Sequence, residues 1–167
     1  MVEFAAAIKN TFEPVINLEL YPRSSIDISL LILQQDGSVL SAAINAVSLA
    51  LIHAGISLSS PVCSVTLSCL HDTPLLDPCI PEENDLPTMT IACLAPAQNR
   101  SQGQEEDPTG KVTLVNMETR LNLDRFEGML RLGAKACAVI SQEMNQIAMA
   151  FVAGKWLMFM LSFEAHW

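Results

Sequence analysis

Three stretches of the chain carry apolar residues at the spacing of an α-helix. Val2 to Phe12 has this period, and Glu13-Pro14 predicts its end because proline disfavours helical geometry in the residue before it. Residues 38–54 are apolar around nearly the whole circumference, which predicts a helix buried on most sides, with Gly55 as its C-terminal cap. Leu123 to about Ala153 is predicted as a long helix. The second helix has a thin polar stripe at Ser41, Asn45 and Ser48, and one face of the third carries Phe126, Leu130, Ala134, Cys137 and Ile140.

Five shorter runs are rich in the β-branched and apolar residues that strands favour. They are Val15–Leu20, Ile26–Leu33, Val62–Leu70, Met89–Leu94 and Lys111–Val115. Strands and helices follow one another without strict alternation. This order predicts the α+β class, in which helices cover a sheet.

Length and composition indicate one folded domain. The chain has 167 residues, of which half are apolar and only 16% are charged, and its mean hydropathy is +0.34; this is enough for one substantial core. The net charge is −9 and the basic residues form no cluster, so we do not expect the chain to hold a polyanion by itself. Residues 98–110 contain no apolar side chain and are predicted to be a flexible surface loop.

The cysteines indicate free thiols and no metal site. There are five of them and no CxxC pair, and Cys63, Cys69 and Cys93 lie inside apolar runs. A free thiol in such a run packs as a small hydrophobic side chain. This usage favours a reducing compartment, and we expect neither a metal nor a cofactor.

The first candidate for chemistry is the turn Asp36-Gly37-Ser38 at the start of the second predicted helix. Free backbone N–H groups at a helix start can bind an anion, but an enzyme that handles phosphate would add a cation there. The next residues, Val39 and Leu40, carry no charge. The favoured interpretation is a capped helix with Ser38 or Asp36 at its start, and an anion site is the alternative.

The second candidate is the stretch LHDTPLLD, Leu70 to Asp77, which follows a predicted buried strand. Paired carboxylates perform acid–base catalysis where their environments separate their pKa values. Asp72 and Asp77 are five residues apart across Pro74, and no spacing rule brings them together. An ordinary polar turn is therefore favoured over catalysis, which stays open as the alternative.

The C-terminal stretch Met149–Phe163 is unusually apolar. It is shorter than the roughly 20 residues of a membrane span and contains Lys155. Burial against a partner, or an incorrectly assigned end of the gene, is favoured over a membrane anchor. We therefore divide the chain into a domain at residues 1–145 and an atypical apolar tail at residues 146–167.

Several of these stretches together resemble one family. FEPVINLELYPRSSIDISLLILQQDGS, INAVSLALIHAGI and DTPLLD…EEN are similar to the second half of ribonuclease PH-type proteins, and within them to the RNA exosome ring subunits called ribosomal RNA processing protein 41. The likeness runs from about Val2 to about Met144 and is interrupted by the 98–110 loop. It implies a mixed β-sheet covered by helices, incomplete on its N-terminal side because the family's first half would precede this chain.

The resemblance also implies which residues of this chain occupy the positions of the family's active-site residues. Active members are phosphorolytic: inorganic phosphate attacks the 3′-terminal linkage of RNA and releases nucleoside diphosphates. Their phosphate loop is Gly-Gly-Thr-Arg, and Leu40 takes the place of its arginine. The second of their two catalytic carboxylates matches Asp77, while the first falls on His71, one position from Asp72. We therefore expect no catalytic residue, but the remnant of a phosphorolytic site at Gly37, Ser38, His71, Asp72 and Asp77.

The function implied by the resemblance is that of a non-catalytic structural subunit of the exosome core ring, which supports 3′-to-5′ RNA processing and degradation. Its partners would be related ring subunits, cap subunits and RNA, without a membrane, in the nucleus, nucleolus and cytoplasm. Arg23 is a candidate contact to RNA or a neighbouring subunit, although a salt bridge that fixes its turn is favoured. Two alternatives remain: an active phosphorolytic exoribonuclease, with Asp72 or Asp77 as general acid and an arginine from a partner subunit, and a membrane-anchored fragment.

Overall fold

The computed structural model describes residues 2–95, 111–117 and 119–164, so the predicted 98–110 loop lies outside the described residues. In chain order the elements are α1 (Val2–Phe12), a 3-10 turn (Leu18–Leu20), α2 (Val39–Ala54), β1 (Val62–Leu70), β2 (Thr73–Leu76), α3 (Ile80–Asp85), β3 (Thr88–Leu94), β4 (Val112–Met117) and α4 (Leu123–Glu164). The predictions of α1, α2, β1, β3, β4 and α4 are confirmed. Gly55 is the C-terminal cap of α2, with φ 74°.

The four strands form one sheet in the order β2-β1-β3-β4. β1 is central, since it pairs with β3 from Val62 to Ser68 and with β2 from Leu67 to Leu70. The predicted α+β class is confirmed. The predicted mixed sheet is not confirmed, since every pairing among the described strands is antiparallel. A hairpin turn reverses the chain between β1 and β2, and the longer connections also return it in the opposite direction.

Helices cover both faces of the sheet. Successive side chains of a strand point to opposite faces, so β1, whose residues are all buried except the last, contributes to two clusters. On the α4 side the core includes Leu67, Met89, Ile91, Met129 and Cys137. On the α1 and α2 side it includes Phe12, Ile44, Val47, Val62 and Ala92. The predicted face of α4 is confirmed, because its five residues are buried or packed against the first of these clusters.

Helix α4 comes very close to the sheet at Gly133. A Cβ at this position would lie 2.7 Å from Cγ2 of Ile91 and 2.9 Å from Cδ1 of Leu67. Carbon atoms do not approach each other so closely, so a side chain at this position would displace Ile91, Leu67 or the helix itself.

The polar stripe of α2 covers an open edge of β1. Because β2 reaches only the end of β1, the outward backbone groups of its first half need other partners. The side-chain amide of Asn45 accepts a hydrogen bond from the Ser64 N–H and donates one to the Ser64 carbonyl, both at 2.8 Å. The hydroxyl of Ser48 accepts from the Val62 N–H at 3.2 Å. These helix side chains satisfy the backbone groups that a neighbouring strand would otherwise pair.

Two predicted strands are wrong. Residues 15–20 contain the 3-10 turn and an isolated bridge between Ile16 and Leu58. Ile26–Leu33 belongs to no helix and no sheet, and residues 25–37 make no backbone–backbone hydrogen bond to any described residue. Both runs have strand propensity, but propensity reports a fit to a pleated surface and not the presence of a neighbouring strand.

Two short elements are additional to the prediction. β2 pairs with β1 through a hairpin turn at His71-Asp72, and Pro74 is tolerated because β2 is an edge strand. Helix α3 has proline in its first turn, where the missing N–H costs nothing. The Glu82 carboxylate accepts a hydrogen bond from the Cys79 N–H at 3.0 Å and so caps this helix.

Helix α4 continues to Glu164, past its predicted end near Ala153, and the predicted division at residue 145 falls within it. Over the described parts of the chain, no helix combines the length and the apolar content that a membrane crossing requires.

Candidate functional site

The turn before α2 is strained and tightly packed. Gly37 has φ 88° and Ser38 has φ 54°, both in the left-handed region that favours glycine. Ser38 is the N-cap residue, and its carbonyl accepts the first helical hydrogen bond, from the Ala42 N–H at 3.2 Å. Its hydroxyl does not cap the helix but donates to the Pro78 carbonyl at 3.3 Å. The predicted start of the helix at Ser38 is confirmed, whereas the side-chain cap is not formed.

This turn is in contact with the loop that follows Asp77. A Cβ added to Gly37 would lie 2.3 Å from the Pro78 carbonyl oxygen and 3.0 Å from the carbonyl carbon of Cys79. Glycine is therefore required for the close approach as well as for the positive φ. The structure brings together two of the sequence motifs, the one at Gly37-Ser38 and the one that ends at Asp77.

Asp77 closes β2 with its carboxylate exposed to solvent. Its φ of 58° is left-handed, a conformation that aspartate tolerates better than most residues. The Asp77 N–H donates to the Thr66 carbonyl of β1 at 3.0 Å, which fixes its backbone beside the sheet. Of the two aspartates in the candidate pair, this is the one that lies beside the α2 turn.

His71 and Asp72 lie at the opposite end of β2, in the hairpin turn. Five steps of largely extended chain lead from Asp72 to Asp77, which is roughly 16 Å at about 3.3 Å per residue. The Asp72 carboxylate accepts a hydrogen bond from Nε of Arg125 at 2.8 Å. This exposed ion pair borders a cavity of about 230 Å³ between the hairpin and α4. The two aspartates therefore lie at opposite ends of β2.

Leu40 and Arg23 complete the set of candidate positions. Leu40 is 4% exposed and belongs to the apolar cluster on the α1 and α2 side of the sheet, so this position supplies packing and no charge. Arg23 is exposed with φ 61°. It forms no ion pair with any described residue, and the salt bridge favoured for it from the sequence is therefore not found.

Acidic residues dominate the surroundings of the two loops in contact. Asp36 precedes Gly37, Asp77 precedes Pro78, and the first turn of α3 carries Glu82 and Glu83. The first turn of α2 contains no basic side chain. The turn and the loop thus offer backbone groups, one hydroxyl already hydrogen-bonded to a carbonyl, and negative charge.

Three of the thiols lie together in the core. Cys63, Cys93 and Cys137 are buried between the sheet and α4. Burial raises the pKa of the Cys63 thiol to about 11. A hydrogen bond to Cys93, together with burial, raises the pKa of the Cys137 thiol. Cys63, Cys69 and Cys93 are all buried, which agrees with the prediction that the cysteines of the apolar runs pack as small hydrophobes.

Comparison with protein-family models assigns the fold and its ancestry. Residues 1–57 match domain 1 of the 3′ exoribonuclease family (RNase PH), and residues 60–136 match domain 2 of the same family. The chain belongs to the 3′ exoribonuclease family. This confirms the resemblance drawn from the sequence, and it places the α2 turn in the domain 1 match and Asp77 in the domain 2 match.

Among curated proteins, this 3′ exoribonuclease-family chain is similar to exosome components. It is 38% identical over 75% of its length to the exosome complex component ski6 of Schizosaccharomyces pombe, covering 47% of that protein. It is 30% identical over 87% of its length to the human exosome complex component RRP41, covering 55% of it. The chain thus spans about half the length of the curated relatives it matches.

Two solved structures support the fold. Rice Rrp46 matches 88% of this chain with a TM-score of 0.75 at 22% identity, and 65% of its own length is covered. An archaeal exosome core chain matches 86% with a TM-score of 0.59 at 15% identity, with 63% of its length covered. At these identities the likeness establishes a ribonuclease PH-type fold.

Two contributions were not recognised in the sequence. Asn45 was visible as part of a polar stripe, but which backbone groups it meets depends on the position of β1. Arg125 lies 53 residues after Asp72, and no spacing signal connects a hairpin turn to a distant helix. The sequence showed only that acidic residues outnumber basic ones, so that an arginine such as Arg125 has many carboxylates with which it could pair.

Proposed function

We propose that this chain is a non-catalytic structural subunit of an RNA exosome core ring, which supports 3′-to-5′ RNA processing and degradation. Its partners are related ribonuclease PH-type ring subunits and cap subunits, and it meets RNA as part of the assembled channel. Such a complex works in the nucleus, the nucleolus and the cytoplasm. The observation that carries the proposal is the burial of Leu40 at the position where active members of the family have the phosphate-holding arginine.

The similarity to exosome components supports the structural role. Curated relatives from fungi and animals at 30–38% identity are exosome complex components. The chain is itself acidic, with a net charge of −9 and no basic cluster. Such a surface does not bind RNA strongly by itself, because affinity for the phosphate backbone comes from clustered lysine and arginine. A shared channel in which neighbouring subunits supply the positive charge fits this composition.

The geometry of the α2 turn supports the absence of phosphorolysis. A phosphate dianion is held most strongly by bidentate hydrogen bonds from a guanidinium, and the side chain at position 40 is an aliphatic one in the core. The Ser38 hydroxyl donates to the Pro78 carbonyl, and the nearby side chains Asp36, Asp77 and Glu82 repel an anion. His71 and Asp72 are too far along β2 to assist Asp77.

The proposal is tested by reconstituting the ring with this chain and measuring phosphate-dependent release of nucleoside diphosphates from RNA. We expect the same product yield with and without phosphate, and no change on Asp77→Asn. Asp72→Asn is the matched control, since it removes an equivalent charge from the far end of β2. Release that requires phosphate, is lost in Asp77→Asn and persists in Asp72→Asn would establish the active phosphorolytic enzyme instead.

The structural role is tested separately by affinity purification of the tagged chain from cells. Ring and cap subunits should be recovered in stoichiometric amounts, and Arg23→Ala reports whether this exposed side chain contributes to that assembly. Recovery of the chain without any exosome subunit would contradict the structural role, whatever the outcome of the phosphorolysis assay.

A further inference from the structure

Helix α4 continues well past the sheet that it covers. Met144 is the last described residue of α4 that is buried against the sheet, and the helix runs on to Glu164, about 30 Å further at 1.5 Å per residue. Helix α2 lies beside the first part of this stretch, where the rings of His53 and Phe151 are 4.0 Å apart. Because α2 ends at Ala54, one residue after that contact, it does not extend along the remainder of α4.

One side of this stretch carries small and apolar residues at heptad spacing. Ile147, Ala150 and Gly154 follow one another at intervals of three and four residues, and Leu157 and Leu161 continue the spacing in the sequence. We call these five positions the α4 seam, because contact positions in paired helices have this spacing. Ile147 is 59% exposed, and Ala150 and Gly154 are exposed as well. The described part of the α4 seam is thus accessible to a second helix.

The apolar surface of the α4 seam continues toward α2. Ile147 also lines a cavity of about 260 Å³ between α2 and α4, together with Leu49, His53 and Phe151. A helix that covers Ile147 therefore also covers part of this cavity, which increases the apolar area removed from water.

The smallest residue lies at the centre of the α4 seam. Gly154 has two seam positions on either side, and the next positions at the same spacing are the glutamates Glu143 and Glu164. A Cβ added to Gly154 would have open space around it, so the packing of the chain on itself does not require glycine here. Two crossing helices are closest at their crossing point, where a small residue lets the backbones approach. The pattern fits a pair of helices that cross at Gly154.

The charge distribution indicates that the second helix belongs to another copy of this chain. The chain has a net charge of −9, so most contacts between two copies would bring acidic surfaces together. Residues 144–163 contain a single charged side chain, that of Lys155, and two copies can meet there without acidic repulsion. A two-fold contact requires one surface that is complementary to itself, and a seam centred on glycine satisfies this. The match to domain 2 of the family ends earlier, at residue 136.

We propose that this chain forms a homodimer in which the C-terminal parts of two α4 helices pair along the α4 seam and cross at Gly154. Each copy contributes the same residues to the contact. Burial of the apolar seam positions drives the association, and Gly154 permits the close approach. The proposal depends neither on the exosome role nor on phosphorolysis.

Sedimentation equilibrium of the full chain tests the proposal. We expect the mass to rise from 18.2 kDa to twice that value across the micromolar range, and no further. Gly154→Leu should raise the dissociation constant at least tenfold, because the new side chain holds the helices apart. Gly128→Leu is the matched control, since Gly128 is also an exposed glycine of α4 with open space around it but lies outside the α4 seam. Neither substitution should lower the Tm, because leucine favours a helix more than glycine does.

A charge introduced into the α4 seam provides the second test. Ile147→Glu should raise the dissociation constant at least tenfold, because association would bury a carboxylate. Val139→Glu should leave the dissociation constant unchanged, since Val139 precedes the α4 seam. The two positions are matched, because both are apolar residues of α4 with similar exposure, 59% and 61%. Circular dichroism establishes that each variant is folded.

Four results would overturn the proposal. The first is a chain that stays monomeric throughout the concentration range, and the second is a mass that keeps rising beyond the dimer. The third is a dimer that Gly154→Leu and Ile147→Glu weaken no more than their controls do, which would place the contact on another surface. The fourth is flotation of a monomeric chain with phosphatidylcholine vesicles, which would identify a lipid surface as the partner of the α4 seam.

Discussion

Replacement of Asn45 by alanine should destabilise the domain more than is usual for a residue on the surface of a helix. The change removes two hydrogen bonds of 2.8 Å to the backbone of Ser64, each worth about 1 kcal/mol net, and leaves a part-buried N–H and C=O with poor access to water, at about 1 kcal/mol each. The higher helix propensity of alanine returns about 0.6 kcal/mol. The expected loss is therefore about 2–4 kcal/mol, a large fraction of the ~5–15 kcal/mol that typically stabilises a domain.

Urea unfolding monitored by circular dichroism measures this loss, and hydrogen exchange at the Ser64 amide locates it. Asn17→Ala is the matched control because it deletes one exposed side-chain hydrogen bond, to Ser57 at 2.8 Å, and should cost about 0.5 kcal/mol or less. If Asn45→Ala were as stable as Asn17→Ala, and Ser64 equally protected in both, the helix side chain would not replace a strand at the edge of β1.

Three further predictions concern the turn, the hairpin and the thiols. Gly37→Ala should lower the free energy of unfolding by at least 2 kcal/mol in urea unfolding, because the new Cβ would lie 2.3 Å from a backbone oxygen. Gly55→Ala, which has open space around it, should cost about 1 kcal/mol. Equal losses in the two variants would contradict the close approach at Gly37. Asp72→Asn should change stability by less than about 1 kcal/mol and become indistinguishable from the parent in 1 M salt, because its ion pair with Arg125 is exposed. Burial raises the pKa of the Cys63 thiol to about 11 in the fold, against an ordinary value near 9, so the unfolded chain loses this proton first as the pH rises. The free energy of unfolding should therefore be unaffected below about pH 8.5 and fall by about 2 kcal/mol by pH 10.5. Urea unfolding across that range measures this fall, which should be shallower in Cys63→Ala.

The sequence correctly predicted those helices and strands whose pattern of apolar residues agrees with the way they are buried in the fold. The period of α1 and α2, the continuous apolar run of β1 and the long face of α4 each require one kind of neighbour, and the fold supplies it. Ile26–Leu33 has an equally strong strand pattern, but a pattern cannot state whether a neighbouring strand exists. β2 was missed for the opposite reason, because Pro74 and the polar turn conceal a short edge strand that forms only against β1.

The candidate site was predictable in parts. The contact between the Gly37-Ser38 turn and the loop after Asp77 joins two motifs that the sequence singled out separately. The resemblance placed His71 at the first carboxylate position, but neither it nor spacing could show that β2 separates Asp72 from Asp77. Position 40 illustrates what the fold adds: the resemblance implies that a guanidinium is missing there, and the structure shows that Leu40 is packed in the core.

The side-chain-free contact at Gly133 constrains how α4 can move. One turn away in either direction, the same face carries Met129 and Cys137, both buried against the sheet. Sliding the helix along its axis by a turn would drive one of these bulkier residues into the narrow space beside Ile91 that Gly133 occupies. The close contact at Gly133 therefore fixes the position of α4 along its own axis. Translation of α4 by one turn is opposed by its packing against the sheet.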